Sequence, residues 1–322
     1  MGLRGLRSVD IQRSRALLNS VARHHEFQAC GAISIRATCR PSRRGIDAFR
    51  YNDLNRVMLK GKNKLRLDQS GQECMRAAGR FNAELLDFIR PYVIAGVSTG
   101  QIDQHVEQYT RDHGHVPAPL GYQGFPKSCC TSINEVICHG IPGDYRLQAG
   151  DIVNVDLSTI VEGWHGDSSE TFLIGDVSQT ARAVTQCSFD CLYLAIEALT
   201  PGCPVSDIGK TIVAEARAHQ FSVVREYTGH GLGRRFHQEP TIPHYPTKQS
   251  HRDRLEPGMC FTIEPMINQG TRLTQQDPVD GWTVRTKDGQ LSAQFEHSIL
   301  MTEEGPEILT PTRHGPQPGH RF

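Results

Sequence analysis

The 322-residue sequence predicts an α/β (α+β) fold in which an antiparallel sheet carries helices over its apolar side, in two related halves. Three observations lead there. Capped stretches of helical periodicity occur in pairs, three strand-like segments share one alternating pattern, and the second and fourth helices match at a constant spacing.

Regular structure is expected to begin near Lys64. Ser70-Gly-Gln-Glu73 has capping-box spacing, and Met75, Ala78, Phe81, Leu85 and Phe88 follow at helical intervals until Pro91 stops them. Ser98-Thr-Gly-Gln101 opens a second helix, with Ile102, Val106 and Tyr109 on one face and Gly114 closing it. A third is expected from about Ser178 to Leu199, ending at Pro201-Gly202. A fourth follows Ser206, with Ile208, Ile212 and Ala216 facing inward. At an offset of 106, Gly96, Ile102 and His113 correspond to Gly202, Ile208 and His219, which points to a duplicated half.

The strands carry the chemistry. In Asp151–Ser158 one face shows Asn154, Asp156 and Ser158, while Val153, Val155 and Leu157 form the other. In Met259–Glu264, Thr262 and Glu264 oppose Phe261 and Ile263. In Ser292–Ser298, Gln294, Glu296 and Ser298 oppose Phe295. Each strand has an apolar face for packing and a polar face holding an acid.

Asp156 and Asp167 flank a hairpin at Val161-Glu162-Gly163, and a turn centred between Val161 and Glu162 would set the two aspartates directly opposite one another. Like charges so placed repel, and Glu264 and Glu296 add to the repulsion. Two divalent cations would bring +4 and balance the four carboxylates, and His230 in Thr228-Gly-His-Gly-Leu-Gly233 could add a nitrogen ligand. Four carboxylates and an imidazole suit Mn, Fe, Co or Zn. From spacing alone three readings stand: a dinuclear hydrolase, a single-ion structural site and an ion-free groove that binds peptides.

Composition narrows the classes. With 35 basic against 35 acidic residues, nothing global points to nucleic acid or an anionic membrane, and the longest apolar stretches are too short to span a bilayer. The 10 cysteines include no C-x-x-C pair, so a zinc ribbon or redox dithiol is not indicated and free thiols are expected. Nine arginines lie between Arg4 and Arg44 against only Asp10 and Glu26 as acids. Residues 1–60 therefore read as a basic extension, either disordered or a targeting segment, before a catalytic domain at 61–312 and a short tail at 313–322. The expected location is cytoplasmic, or mitochondrial or plastid if residues 1–50 are a transit segment.

Six ordered runs resemble the type I methionine aminopeptidases of peptidase family M24. They are Gly121–Ser128, Ser132–Pro142, His165–Phe172, Gly229–His237, Phe261–Pro265 and Gln294–His297, within about residues 64 to 310. The resemblance implies the pita-bread fold, a pseudo-two-fold α/β arrangement. It implies two divalent ions held by Asp156, Asp167, His230, Glu264 and Glu296. Glu264 would also be the proton acceptor, with His237 bonding the scissile carbonyl and His139 the scissile amide nitrogen. It further implies a methionine pocket of Tyr122, Phe125, Cys130, Phe236 and Trp282, and a small second residue in the substrate.

Two residues depart from the common pattern: Pro119 stands where many members have cysteine, and Phe125 where many have tyrosine. No cysteine-rich zinc module is expected in residues 1–60 ahead of the domain. The implied substrates are the N-termini of newly made polypeptides, acted on by a monomer with no nucleic acid or membrane partner. The alternatives are an Xaa-Pro aminopeptidase or dipeptidase of the same fold, and a peptide-binding homologue without catalysis. The Cys129-Cys130 pair fits a pocket wall better than a nucleophile, and Gly229–Gly233 lacks the spacing of a dinucleotide-binding loop.

Overall fold

A computed structural model describes residues 65–322. The expectations for the basic extension, residues 1–60, and for the first residues of the domain, 61–64, lie outside the described residues.

Helix α1 spans Gln69–Ile89, and its cap is Asp68, whose carboxylate accepts from the Gly71 amide. Ser70 therefore sits inside the first turn and is not the expected cap. An aspartate one position before the first helical residue reaches the free amides directly, so the Ser-x-x-Glu spacing is not used. Pro91 stops the helix as expected, and the chain leaves through a single 3-10 turn at Arg90–Tyr92. Helix α2, Thr99–Asp112, opens at the expected Ser98-Thr-Gly-Gln101 run, which forms a capping box with both Ser98 and Gln101 bonds made. Helix α3, Gln179–Glu197, is capped by Ser178. Helix α4, Ser206–Ala218, has no side-chain cap, because Val205 stands at the cap position; the Ser206 hydroxyl pairs with His251.

The spacing of 106 reappears in backbone angles. Helices α2 and α4 end at His113 (φ −87°, ψ 6°) and His219 (φ −92°, ψ 5°), and each is followed by a residue of positive φ. Short strands at Val116–Pro117 and Ser222–Val223 follow in turn.

Among the described residues every strand pairing is antiparallel, but the strands form four sets and not one continuous sheet. The longest pair is Ile152–Val161 with Trp164–Leu173, and Cys130–Ile133 flanks the first of these. A five-stranded set runs in the order Pro306–Ile308, His297–Met301, Cys260–Ile263, Gly229–Gly231, Gln238–Ile242. The expected single strand Ser292–Ser298 is broken: Ser292–Gln294 pairs with Met266–Asn268, and His297–Met301 joins the five-stranded set. Glu296 lies in the break, where an isolated bridge to Ser169 ties it to the long hairpin.

The hairpin turn also differs from expectation. Val161 pairs with Trp164, so the turn is Glu162-Gly163, with both residues at positive φ (50° and 83°). A two-residue turn of this kind matches the twist of the strands, and glycine supplies the second left-handed position without steric strain. The register consequently places Asp156 opposite Ser169 and Asp167 opposite Ser158. The two aspartates are diagonal neighbours on one face.

The apolar faces pack as predicted. Val153, Val155 and Leu157 bury against Leu85, Ile89, Ile102 and Val106 of α1 and α2. Phe261 and Ile263 bury against Phe189, Ile208 and Ile212 of α3 and α4. Both clusters leave the polar strand faces turned away from the helices. Among the described residues, no helix is long and apolar enough to cross a membrane.

Candidate metal centre and substrate cavity

The polar faces meet in a cavity of about 400 Å³. Its floor holds Asp156, Asp167, His230, Glu264 and Glu296, all five of the sequence-predicted ligands. Asp156 and Asp167 come from the long hairpin, and Glu264 follows the strand Cys260–Ile263. Glu296 sits in the strand break, and His230 is central in Gly229–Gly231. That last strand lies tight on its neighbour: a Cβ on Gly231 would come within 2.1 Å of the Glu239 carbonyl oxygen. Only glycine lets His230 be presented there.

Asp167, His230 and Glu296 offer ligand atoms that all lie within 4.8 Å of one another. His230 Nε2 is 3.5 Å from Asp167 Oδ2 and 3.7 Å from Glu264 Oε1. Around these, Ser158 Oγ donates to Asp167 Oδ1 (2.7 Å), Thr262 Oγ1 donates to Glu264 Oε1 (2.8 Å), and Gln294 Nε2 donates to Glu264 Oε2 (3.2 Å). The corrected register accounts for the first of these, since it sets Ser158 directly across from Asp167.

The electrostatics are those of acids crowded and enclosed around a single imidazole. Burial pushes Asp156 well above the usual carboxylate range, and the charges of Asp167 and Glu264 add to the effect. Glu296 is raised for the same reasons. Glu264 is pushed up to about 7, mainly by burial, against the opposing pull of His230. Burial lowers His230, but its bond to Asp167 and the charge of Glu264 win and hold it at about 9. Among the described residues no Lys or Arg lines the cavity, and the buried Asp156 Oδ1 has no hydrogen-bond partner. Packed carboxylates with an orphaned oxygen and one imidazole fit divalent cations of the nitrogen- and oxygen-preferring kind.

The seven sequence-predicted substrate residues line the same cavity. Phe125 meets Trp282 edge-on at 5.1 Å, and His139 meets Trp282 at 6.0 Å. Tyr122 packs against Phe236 at 5.0 Å, and its hydroxyl lies 2.9 Å from Nδ1 of His237. His237 stands at the cavity mouth, where part of the residue is open to solvent; enclosure of its ring among Phe236, His230 and Tyr122, with the nearby charge of His230, lowers it to about 4. Burial likewise lowers His139. Both imidazoles are therefore neutral near pH 7. Of the adjacent cysteines, Cys130 lines the cavity, whereas Cys129 is buried behind it against Ile102 and Val106.

Sequence reasoning missed Met266, Tyr227 and Thr228, which also line the cavity. It missed Asp103 as well. That buried carboxylate accepts from the Ser128 amide (2.7 Å) and fixes the segment between Phe125 and Cys130. A signal was present: Thr99, Ile102, Asp103, Val106 and Thr110 fall on one helical face, which places an acid among the buried positions.

The family model for metallopeptidase family M24 matches residues 73–303. The chain belongs to family M24. Family M24 membership implies a divalent metal, for which Asp167, His230 and Glu296 form the candidate site. The chain is 55% identical over 240 residues to methionine aminopeptidase A of Synechocystis, covering 74% of this chain and 94% of that protein. It is 49% identical over 240 residues to the methionine aminopeptidase of Escherichia coli K12, covering 74% and 90%. The crystal structure of methionine aminopeptidase from Rickettsia prowazekii superposes with a TM-score of 0.74 at 46% identity, covering 76% of this chain and 99% of that one.

Proposed function

We propose that this M24 chain is a methionine aminopeptidase, releasing N-terminal methionine from polypeptides whose second residue is small. The observation that carries the reading is a buried carboxylate–imidazole floor beneath an aromatic wall, in a chain 55% identical to a methionine aminopeptidase. Asp156, Asp167, His230, Glu264 and Glu296 would hold two divalent ions. Bound there, such ions would supply Lewis acidity and an activated water.

The remaining chemistry belongs to side chains of this protein. Glu264, held at both oxygens by Thr262 and Gln294, accepts the proton of the attacking water and passes it to the leaving amine. His237 donates to the scissile carbonyl oxygen, and His139 bonds the amide nitrogen. Asp167 helps to hold the free α-amine, which restricts the reaction to N-termini. Tyr122, Phe125, Cys130, Phe236 and Trp282 enclose the methionine side chain, whose flexible thioether packs well on aromatic edges.

The finer architecture belongs with this reading: two halves related by a pseudo-two-fold axis, the pita-bread arrangement. It is supported by the matching ends of α2 and α4 at a spacing of 106.

The test is a metal-titrated assay with Co, Mn, Fe and Zn on Met-Gly and Xaa-Pro peptides. Methionine release from Met-Gly peptides is the expected result. Cleavage confined to Xaa-Pro peptides would assign the alternative peptidase activity, and binding without release from either would leave a peptide-binding protein.

A further inference from the structure

Tyr122 is more than a wall of the methionine pocket. Its ring already meets Phe236 edge-on at 5.0 Å, a contact that a phenylalanine would make equally well. The hydroxyl does something else: it lies 2.9 Å from Nδ1 of His237, its hydrogen-bond partner among the described residues. The two nitrogens of a neutral imidazole divide their roles, and the partner of one decides which carries the proton. A phenol has a single proton to give, and giving it to Nδ1 leaves the imidazole proton on Nε2.

The surrounding geometry keeps this arrangement in place. The chain at Tyr122 is pinned by three main-chain bonds: Tyr122 N–H to Pro119 O, Phe125 N–H to Tyr122 O, and Gly121 N–H to Phe125 O. Gln123, just beyond, is held at φ 49°, a left-handed conformation uncommon outside glycine and found where surrounding structure enforces it. On the other side, the His237 ring lies 4.3 Å from both the Phe236 and His230 rings, centroid to centroid. Turning the imidazole over would exchange Nδ1 for a ring carbon and lose the Tyr122 bond.

We propose that Tyr122 is a positioning residue whose hydroxyl donates to Nδ1 of His237, fixing the Nε2–H tautomer and the ring orientation that let His237 donate to the scissile carbonyl. The proposal rests on the methionine aminopeptidase reading for its catalytic consequence, but the tautomer itself does not depend on that reading.

The test uses the full chain with Tyr122→Phe, which keeps the ring and removes only the hydroxyl. Nitrogen-15 NMR of the imidazoles, with the His237 signals assigned by their loss in His237→Asn, should show the Nε2–H tautomer in the wild type and a mixed population in the variant. An Nδ1–H tautomer in the wild type, or an unchanged population in Tyr122→Phe, overturns the proposal. On a Met-Gly peptide kcat should fall about tenfold with KM within about twofold, as expected for an interaction realised in the transition state. In a His237→Ala background, Tyr122→Phe should change kcat less than about twofold, because the hydroxyl acts through the imidazole. A purely structural hydroxyl would instead lower kcat equally in both backgrounds, which also overturns the proposal. If the wild type releases no methionine, the activity reading fails while the NMR result still decides the hydroxyl–imidazole link.

Discussion

Glu264 shows how much of the site is decided by single side chains. Both of its oxygens are held, by Thr262 and Gln294, and a glutamine in its place could still accept from Thr262. Glu264→Gln should therefore leave the fold intact while lowering kcat at least about a hundredfold, the range of a lost general acid–base group. Metal content must be measured beside turnover. Near-normal turnover at full metal occupancy would remove the proton-transfer role. Asp156, Glu264 and Glu296 were legible because sequence alternation put each on a polar face, and Asp167 because it flanks the hairpin. Thr262 and Ser158 share those faces, but alternation does not say which acid oxygen a hydroxyl reaches. Met266 and Tyr227 carried no periodic signal, since they sit in short strands and loops whose place at the cavity depends on distant pairings.

At the scale of the element, the long hairpin turns on Glu162-Gly163. A Cβ on Gly163 would meet only the far end of Arg234, at 3.5 Å, so replacing it with alanine tests the left-handed backbone (φ 83°) and little else. Gly163→Ala should cost about 1 kcal/mol by urea unfolding, without changing substrate preference. A second element is the segment from Phe125 to Cys130, which Asp103 anchors from α2. Asp103→Ala would leave the buried Ser128 amide without its partner, a loss of about 1–3 kcal/mol. KM for Met-Gly peptides should rise as Phe125 and Cys130 lose their support. If KM is unchanged, the segment holds its shape without the anchor. The four helices and the long strand Ile152–Val161 were legible from periodicity, although the cap expected at Ser70 is not used. The turn was displaced by one residue because two-residue hairpins are chosen by backbone handedness, which Glu162 does not advertise. The break at Glu296 was invisible for a related reason, since alternation continues through a strand even where its pairing partner changes.

At the scale of the whole molecule, the buried carboxylates and the chain terminus set stability in opposite ways. Four acids packed around one imidazole oppose folding until cations neutralise them. Stripping metal with a chelator should lower Tm, and re-addition at about a thousand times Kd should restore about 4 kcal/mol. The last ten residues act in the other direction. The Arg313 and His314 amides donate to Asp87 of α1, Arg321 pairs with Asp190 of α3, and Phe322 packs against Phe189 and Phe295. Gly315 lies directly over the part-buried Arg90–Glu170 ion pair, which joins the turn after α1 to the long hairpin. The tail thus links α1 and α3 while contributing no residue to the cavity. Deleting residues 313–322 should reduce stability by about 2–4 kcal/mol, from the exposed aromatic surface and the uncovered ion pair. Methionine release at 25 °C should stay within about twofold of the full chain, because the strands that form the cavity floor lie elsewhere. Phe322→Ala should account for about 1–2 kcal/mol of that loss. Matching unfolding midpoints for the shortened and full-length chains would mean that the tail rests on the helices without stabilising them.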